Sequence, residues 1–338
     1  MADVTIYTIA KELNMSPSMV SRAFNPDGKI REDKRQLVLK TAEKYGFSPN
    51  KFASRLSMKT VQIGVVINCK FKINTDKMLE GLRRAYEKFK DYKIKCEIDI
   101  TDTGKDASDL VMKYAGYDGI ILAGFGAKKY ADKISALAEK NPNIVQVQSV
   151  NEHADCLFTS KHDEKTAAEM AAEFLYNCLK NSNRKNVVLF TGDLETALHS
   201  NAKNAFEKAC KELDLNILET ADMKDNEDVL RCHTEHIFER DGNKIDGVYI
   251  TSGESLSLCE YIQKSQKNIS LVTFDIYDKI GEYLKNGIIS ATISQNVPQQ
   301  MENAFEMLVR YLINGEKPKK TVYTDVQLVL KSNMHLVE

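Results

Sequence analysis

Four residues carry the first chemistry legible in the sequence. Pro17, Ser18, Ser21 and Arg22 fall on one face of a short helical stretch, at helical spacing. An arginine guanidinium pairs bidentately with the O6 and N7 of guanine in a major groove, whereas a serine hydroxyl donates or accepts and discriminates less. Other spacings promise less. Gly104-Lys105 lacks the upstream glycine of a phosphate-binding loop, and Gly124-Phe125-Gly126 followed by Lys128 is too short a glycine pattern to cradle a nucleotide. Cys232, His233 and His236 span about one helical turn with no second ligand pair, so packed or solvated roles fit them better than a metal. No Ser-His-Asp set or paired carboxylates can be nominated, so the sequence does not support an enzyme, and neither a cofactor nor a metal is expected.

Local signals place the four residues. Ile6, Ile9, Ala10 and Leu13 form the apolar stripe of a helix over 6–13 with Thr5 as its N-cap. Asn14-Met15 breaks it, and Ser16-Pro17 supplies the cap and first residue of a second helix, where a missing N–H costs nothing. That helix buries Met19 or Val20 with Ala23 and Phe24, and the small Ala10 lets the two helices cross closely. Two short helices across a tight turn make a helix-turn-helix. After the turn at 25–28, a third helix over 31–45 directs Leu37, Val38, Thr41, Ala42 and Tyr45 inward. The segment 51–56 is too short to be a stable helix alone and needs a partner to fold. On these residues alone, Arg22 can equally be a solvated arginine on a helical hairpin.

Composition sets the wider frame. At 338 residues, with 43% hydrophobic and 28% charged, the chain has ordinary globular composition and room for more than one folding unit. No apolar run is long enough to span a bilayer and the start lacks a signal-peptide pattern, so a cytoplasmic protein without membrane partners is expected. Its seven cysteines are widely spaced and include no C-x-x-C pair. The net charge of −1 divides unevenly: residues 1–60 hold 11 lysines and arginines against 6 carboxylates, leaving +5 there and −6 in the rest. A basic head on an acidic body suits a polyanion at the head.

Beyond residue 60, the apolar, β-branched run 63–67 reads as a buried parallel strand, and further strand-like runs follow at 94–100, 119–122, 144–147, 187–190, 247–250 and 271–274. They alternate with helical stretches at 77–89, 166–179, 202–213 and 298–313, which means parallel α/β sheets. So much chain favours two α/β subdomains with a cleft at the carboxyl ends of their strands, where ligands bind.

Val4-Thr5-Ile6, Ile9-Ala10, Val20-Ser21-Arg22, Asn25, and Gly46-Phe47-Ser48-Pro49-Asn50 through Ala53 and Leu56 resemble the headpiece and hinge of the lactose-repressor/galactose-repressor (LacI/GalR) family of transcriptional regulators. The resemblance covers the first sixty residues without a gap. It implies that Thr5, Tyr7, Ser16, Ser21, Asn25 and Asn50 hold phosphates, that Pro17, Ser18 and Arg22 face bases, and that Ala53 belongs to the same DNA-binding set. It also implies a hinge that folds on DNA, with Leu56 wedged into a central base step. Between Leu56 and Ile63 stand six residues where the family usually has seven, which implies a tighter coupling of hinge to body.

Phe274-Asp275, the run 286–298 and Asn314-Gly315-Glu316 are similar to sugar-binding periplasmic proteins and to repressor effector domains derived from them. The resemblance implies that Asp275 and Gln295 bond a sugar's hydroxyls, that Phe71 stacks on its apolar face, and that Asp163 lines the pocket. A carboxylate accepts from vicinal hydroxyls, and a carboxamide donates and accepts at once. Ala202 stands where many members carry a ligand-binding arginine, and Ser252-Gly253-Glu254 replaces an Asn-Asp pair and its neighbour. These departures disfavour an anionic effector and leave a neutral sugar or polyol.

The expected architecture is an all-α helix-turn-helix headpiece (1–48), a hinge helix and linker (49–62) and a periplasmic-binding-protein-like α/β body of two parallel-sheet subdomains (63–338). The N-subdomain takes about 63–158 and 296–319, and the C-subdomain about 159–295 and 320–338. The expected function is a homodimeric repressor of carbohydrate-related genes that binds pseudo-palindromic double-stranded DNA under effector control; no heptad tail for tetramers is present. A solute-binding protein without a regulatory role and a sugar-processing enzyme are the alternatives.

Overall fold

The computed structural model describes residues 4–24, 28–47, 59–101 and 107–337. It divides into two compact units: a head, up to Thr60, which Lys90–Lys93 join, and a body of Val61–Phe89 and the chain from Ile94 onward. In the head, side-chain caps start α1 (Ile6–Glu12) and α2 (Pro17–Phe24). Thr5 Oγ1 accepts from the Thr8 amide at 3.4 Å while the Thr5 amide donates to Thr8 Oγ1 at 3.2 Å, and Ser16 Oγ accepts from the Met19 amide at 3.2 Å. With α3 (Glu32–Lys44), these helices bury Ile9, Ala10, Val20, Ala23, Val38 and Ala42 in one small core. Arg35 donates to the carbonyls of Ala23 (3.3 Å) and Gly28 (2.8 Å) and so ties α3 to the end of α2. Two residues expected inside are exposed: Leu37 at 48% and Tyr45 at 40%. So small a core accepts only the stripe Val38, Thr41 and Ala42 from α3; Leu37 is turned about 100° from Val38, and Tyr45 lies past the last turn.

The body runs β1 (Val61–Asn68), α4 (Lys72–Lys88), β2 (Ile94–Thr101), α5 (Ser108–Lys113), β3 (Gly119–Ala123), α6 (Ala131–Lys140), β4 (Ile144–Val147), β5 (Phe158–His162), α7 (Glu164–Leu179), β6 (Asn186–Thr191), α8 (Ala197–Glu212), β7 (Asn216–Asp222), α9 (Glu227–Asp241), β8 (Gly247–Ile250), α10 (Leu256–Ser265), β9 (Ser270–Phe274), α11 (Asp278–Lys285), β10 (Ala291–Ser294), α12 (Val297–Asn314), β11 (Thr321–Thr324) and β12 (Gln327–Val329). Two six-stranded sheets result, ordered β11-β5-β4-β3-β1-β2 and β12-β10-β9-β8-β6-β7. Among the described residues every strand pairing is parallel except that of β10 with β12.

The chain passes between the sheets three times: after β5, after β10 and after β11. Both boundaries of the first lobe therefore lie beyond the expected 158 and 319. Phe158–His162 pairs with β4, and Thr321–Thr324 pairs with β5. All five residues of β5 are buried although four are polar, so no apolar run marks the strand. Within the first lobe, α4 and α12 cross closely at Gly81, where a Cβ would stand 2.0 Å from the Pro298 carbonyl oxygen. Only glycine permits that approach.

Candidate functional site

Residues beyond the carboxyl ends of strands in both sheets meet across the body. Lys70, just after β1, donates through Nζ to the Asp225 carbonyl at 2.8 Å and stands 3.8 Å from a Glu254 carboxylate oxygen. Lys77 on α4 donates to the Ile276 carbonyl at 2.9 Å, Asn201 on α8 donates to Glu152 at 3.3 Å, and Ala127 bridges to Thr196. The two lobes thus face one another at the ends where parallel sheets bind ligands.

At the junction of the lobes, Gln295 Nε2 donates to Asp275 Oδ2 at 2.6 Å, and both residues are buried. Asp275 leaves β9 in the left-handed region, φ 60°, a conformation that aspartate tolerates better than most residues. Its amide donates to the Ile293 carbonyl and its carbonyl accepts from Thr292 Oγ1, so β10 fixes the turn that aims the carboxylate. Burial pushes the Asp275 carboxyl above the usual range, opposed by the charge of Lys77 and the Gln295 hydrogen bond.

The sequence of this body matches the model of the periplasmic binding protein domain over residues 63–317. The chain belongs to the periplasmic binding protein domain family. Its relatives include catabolite control protein A of Priestia megaterium, 27% identical over 62% of each chain, and the HTH-type transcriptional regulator pepR1 of Lactobacillus delbrueckii subsp. lactis, 25% identical over 69% of each. The match thus spans less than two thirds of the Priestia protein. Solved structures of the same fold include GanP, a glucose-galactose binding protein from Geobacillus stearothermophilus, with TM-score 0.74 and 16% identity over 82% of this chain and 99% of that one. A putative LacI transcriptional regulator from Bacteroides fragilis has TM-score 0.69 and 20% identity over 82% and 99%. The two curated relatives carry regulator names, and the solved structures share the fold of this body.

Within this periplasmic-binding-protein body, the two other expected effector residues are placed differently from Asp275 and Gln295. Phe71 follows Lys70 at the mouth of the first lobe and is half-buried. Asp163 occupies the first crossover, but its carboxylate accepts from the amides of Lys165 (3.1 Å) and Thr166 (3.3 Å) and from Thr166 Oγ1 (2.9 Å), so it serves first as the N-cap of α7. Ala202 packs in the second lobe's core.

One turn before Ala202, His199 belongs to a polar cluster that the sequence did not signal. Its Nδ1 lies 2.9 Å from Thr251 Oγ1 and its Nε2 3.4 Å from Asp225 Oδ2. Asp225 also accepts from Ser252 Oγ (2.6 Å) and the Asp193 amide (3.2 Å). Burial pushes the Asp225 carboxyl up, but His199, Ser252 and the Asp193 amide together hold it well below the usual carboxylate range. Nearby, burial and the adjacent Glu227 push the Glu254 carboxyl up to about 7, while Glu227 itself accepts from the amides of Leu256 (2.9 Å) and Ser257 (3.0 Å). His162, whose ring lies 5.4 Å from that of Phe274, is driven down to about 3 by burial and the charge of Lys161, so it stays neutral.

Glu254 carries a pH prediction. Its folded-state pKa is raised from 4.5, so the native chain holds a proton that the unfolded chain has lost, and stability falls as pH climbs from about 4.5 to about 7. Glu254→Gln keeps the shape without the ionisation and is expected to flatten the melting temperature against pH across that window. Calorimetry at half-unit steps reads it; an unchanged slope refutes the assignment.

On the head, Ser16, Pro17, Ser18, Ser21 and Arg22 are exposed while Val20 and Ala23 of the same helix are buried. Tyr7 is 72% exposed, and Thr5 is committed to its cap. Asn25, Asn50, Ala53 and Leu56, with the hinge segment, lie outside the described residues. Among the described residues, no His, Cys, Asp or Glu group could hold a metal ion, and no helix is long and apolar enough to cross a membrane.

Proposed function

We propose that the chain is a cytoplasmic, homodimeric DNA-binding transcription regulator, a repressor of carbohydrate-related genes, whose operator affinity is set by a sugar or polyol in the cleft of the body. The observation that carries this reading is the head's α2, which keeps Pro17, Ser18, Ser21 and Arg22 in solvent while its other face fills the core. With α1 it forms the helix-turn-helix, Arg22 and Ser18 meet base edges, and Thr5, Tyr7, Ser16, Ser21, Asn25 and Asn50 hold phosphates. Leu56 serves as the minor-groove wedge, with Ala53 on the same hinge. The head separates this reading from a solute-binding protein with the same body.

In the cleft, Asp275 and Gln295 take the effector's hydroxyls, Phe71 covers an apolar face, and Asp163 steadies α7 at the rim. Effector shifts operator affinity only by its preference for one arrangement of the two lobes over the other. Selection of bound sites from a random duplex library by the full-length chain, at near-physiological salt, tests the reading. Recovery of a palindrome with a flexible central step is expected. No enrichment, with or without added sugars, overturns it.

A further inference from the structure

The hydrogen bonds around Asp275 and Gln295 continue past that pair. Gln300, in the first turn of α12, is fully buried, and its Nε2 donates to the Gln295 backbone carbonyl at 2.9 Å and to Gln295 Oε1 at 3.2 Å. The Gln300 carbonyl accepts from Ser160 Oγ on β5 at 2.8 Å, and the Gln295 carbonyl also accepts from Thr324 Oγ1 at the end of β11 at 3.1 Å. One short chain of bonds therefore touches β5 and the ends of β10 and β11, the strands that precede the three passages between the sheets.

A carboxamide can lie either way round, exchanging its donor for its acceptor. Here the ambiguity is removed in steps. The Gln295 backbone carbonyl only accepts, so the atom of Gln300 facing it is nitrogen. That same nitrogen faces the Gln295 side chain, which must answer with oxygen and so turns its own nitrogen toward Asp275. Among the described residues Gln300 Oε1, which is buried, has no hydrogen-bond partner, an unsatisfied acceptor that an apolar residue of equal length would not carry. The glutamine has a use that packing does not explain.

We propose that Gln300 is a positioning residue: anchored on the Gln295 backbone, it locks the Gln295 carboxamide with nitrogen toward Asp275 and so ties the effector-binding pair to the passages between the lobes. The link to effector rests on the function proposed above; the lock itself does not. Its test is the carboxyl titration of Asp275, followed by 13C NMR in the full chain and assigned with Asp275→Asn. In Gln300→Met the Gln295 oxygen loses the donor that faces it and keeps only its hydrogen bond with His162, so the carboxamide can turn its oxygen to the carboxylate, and the Asp275 pKa is expected to rise by at least about half a unit. Gln300→Leu, which likewise removes the donor, is expected to move it the same way. Thr324→Val removes only a bond to the backbone carbonyl and is expected to leave the titration in place.

Equal titration in wild type and both Gln300 variants overturns the proposal, as does an equal shift in Thr324→Val, which would mark general loosening. Should neither Gln300 variant fold, the wild-type Gln295 side-chain amide decides alone: protection of its protons from exchange supports the lock and rapid exchange overturns it. Binding of D-ribose, D-glucose and D-galactose is measured alongside on wild type. Failure to bind any of them counts against the sugar reading, while a shifted Asp275 titration still supports the lock.

Discussion

Asp275→Ala is expected to abolish the response to effector and to leave operator binding within about twofold of wild type, since the head core shares no residue with the cleft. The carboxylate is buried, accepts from Gln295, and is aimed by a left-handed turn that β10 fixes through Ile293 and Thr292. Two charge-assisted bonds to vicinal hydroxyls are worth about 1.5–3 kcal/mol each, so losing both weakens sugar binding by at least about 100-fold. Alanine is also strained at φ 60°, whereas asparagine tolerates that region; Asp275→Asn therefore separates charge from backbone. Calorimetric titration with sugars, beside anisotropy on operator DNA with and without sugar, reads both halves. A variant that still responds to sugar moves the effector site elsewhere.

Apart from the edge strand β2, the strands that could be read from the sequence are buried on both faces. β1, β3, β4, β6, β8 and β9 are runs of Val, Ile and Leu because helices cover each side of a parallel sheet. β5 escaped because four of its five residues are polar, two of them paired internally: Ser160 donates to the Gln300 carbonyl and Lys161 pairs with Glu164 at 3.0 Å. That omission displaced the first lobe boundary by about one short strand. Asp275 and Gln295 were legible because each lies in a recognisable local motif. Lys70, His199, Asp225 and Glu254 were not, because they follow or lie beyond four different strands and acquire their meaning only when loops converge. Asp163 illustrates the reverse case. An acidic residue before a helix has a local use as a cap, and here that use occupies its carboxylate.

The cluster around Asp225 also bears on the empty position at 202. His199 occupies the same face of α8 one turn earlier, and Gly192 leaves room for it: a Cβ there would lie 2.3 Å from His199 Nε2 and 2.4 Å from Asp225 Oδ1. The second lobe thus offers a carboxylate held by a histidine, a serine and an amide in place of a fixed guanidinium. On the function proposed above, such a lining accepts hydrogen bonds from hydroxyls and suits a polyhydroxylated, uncharged effector.

At the other end of the chain, Arg22→Ala is expected to weaken binding to the selected operator by about 10- to 100-fold, the roughly 1–3 kcal/mol of one bidentate base contact, and to relax preference at one base pair in each half-site. The head should survive the change. Arg22 is exposed, makes no ion pair among the described residues, and α2 keeps its Ser16 cap and its buried Val20 and Ala23. Losing a cation from the last helical turn costs a few tenths of a kcal/mol, which alanine's helix propensity largely offsets. Arg22→Lys sharpens the test. It keeps the charge and loses the planar fork, so it should retain nonspecific binding and its salt dependence while losing most of the discrimination. Anisotropy on the operator, a half-site mismatch series and an unrelated duplex separates the outcomes. A loss equal on all three duplexes would make Arg22 a phosphate contact and would leave sequence reading to Ser18 and its neighbours on α2.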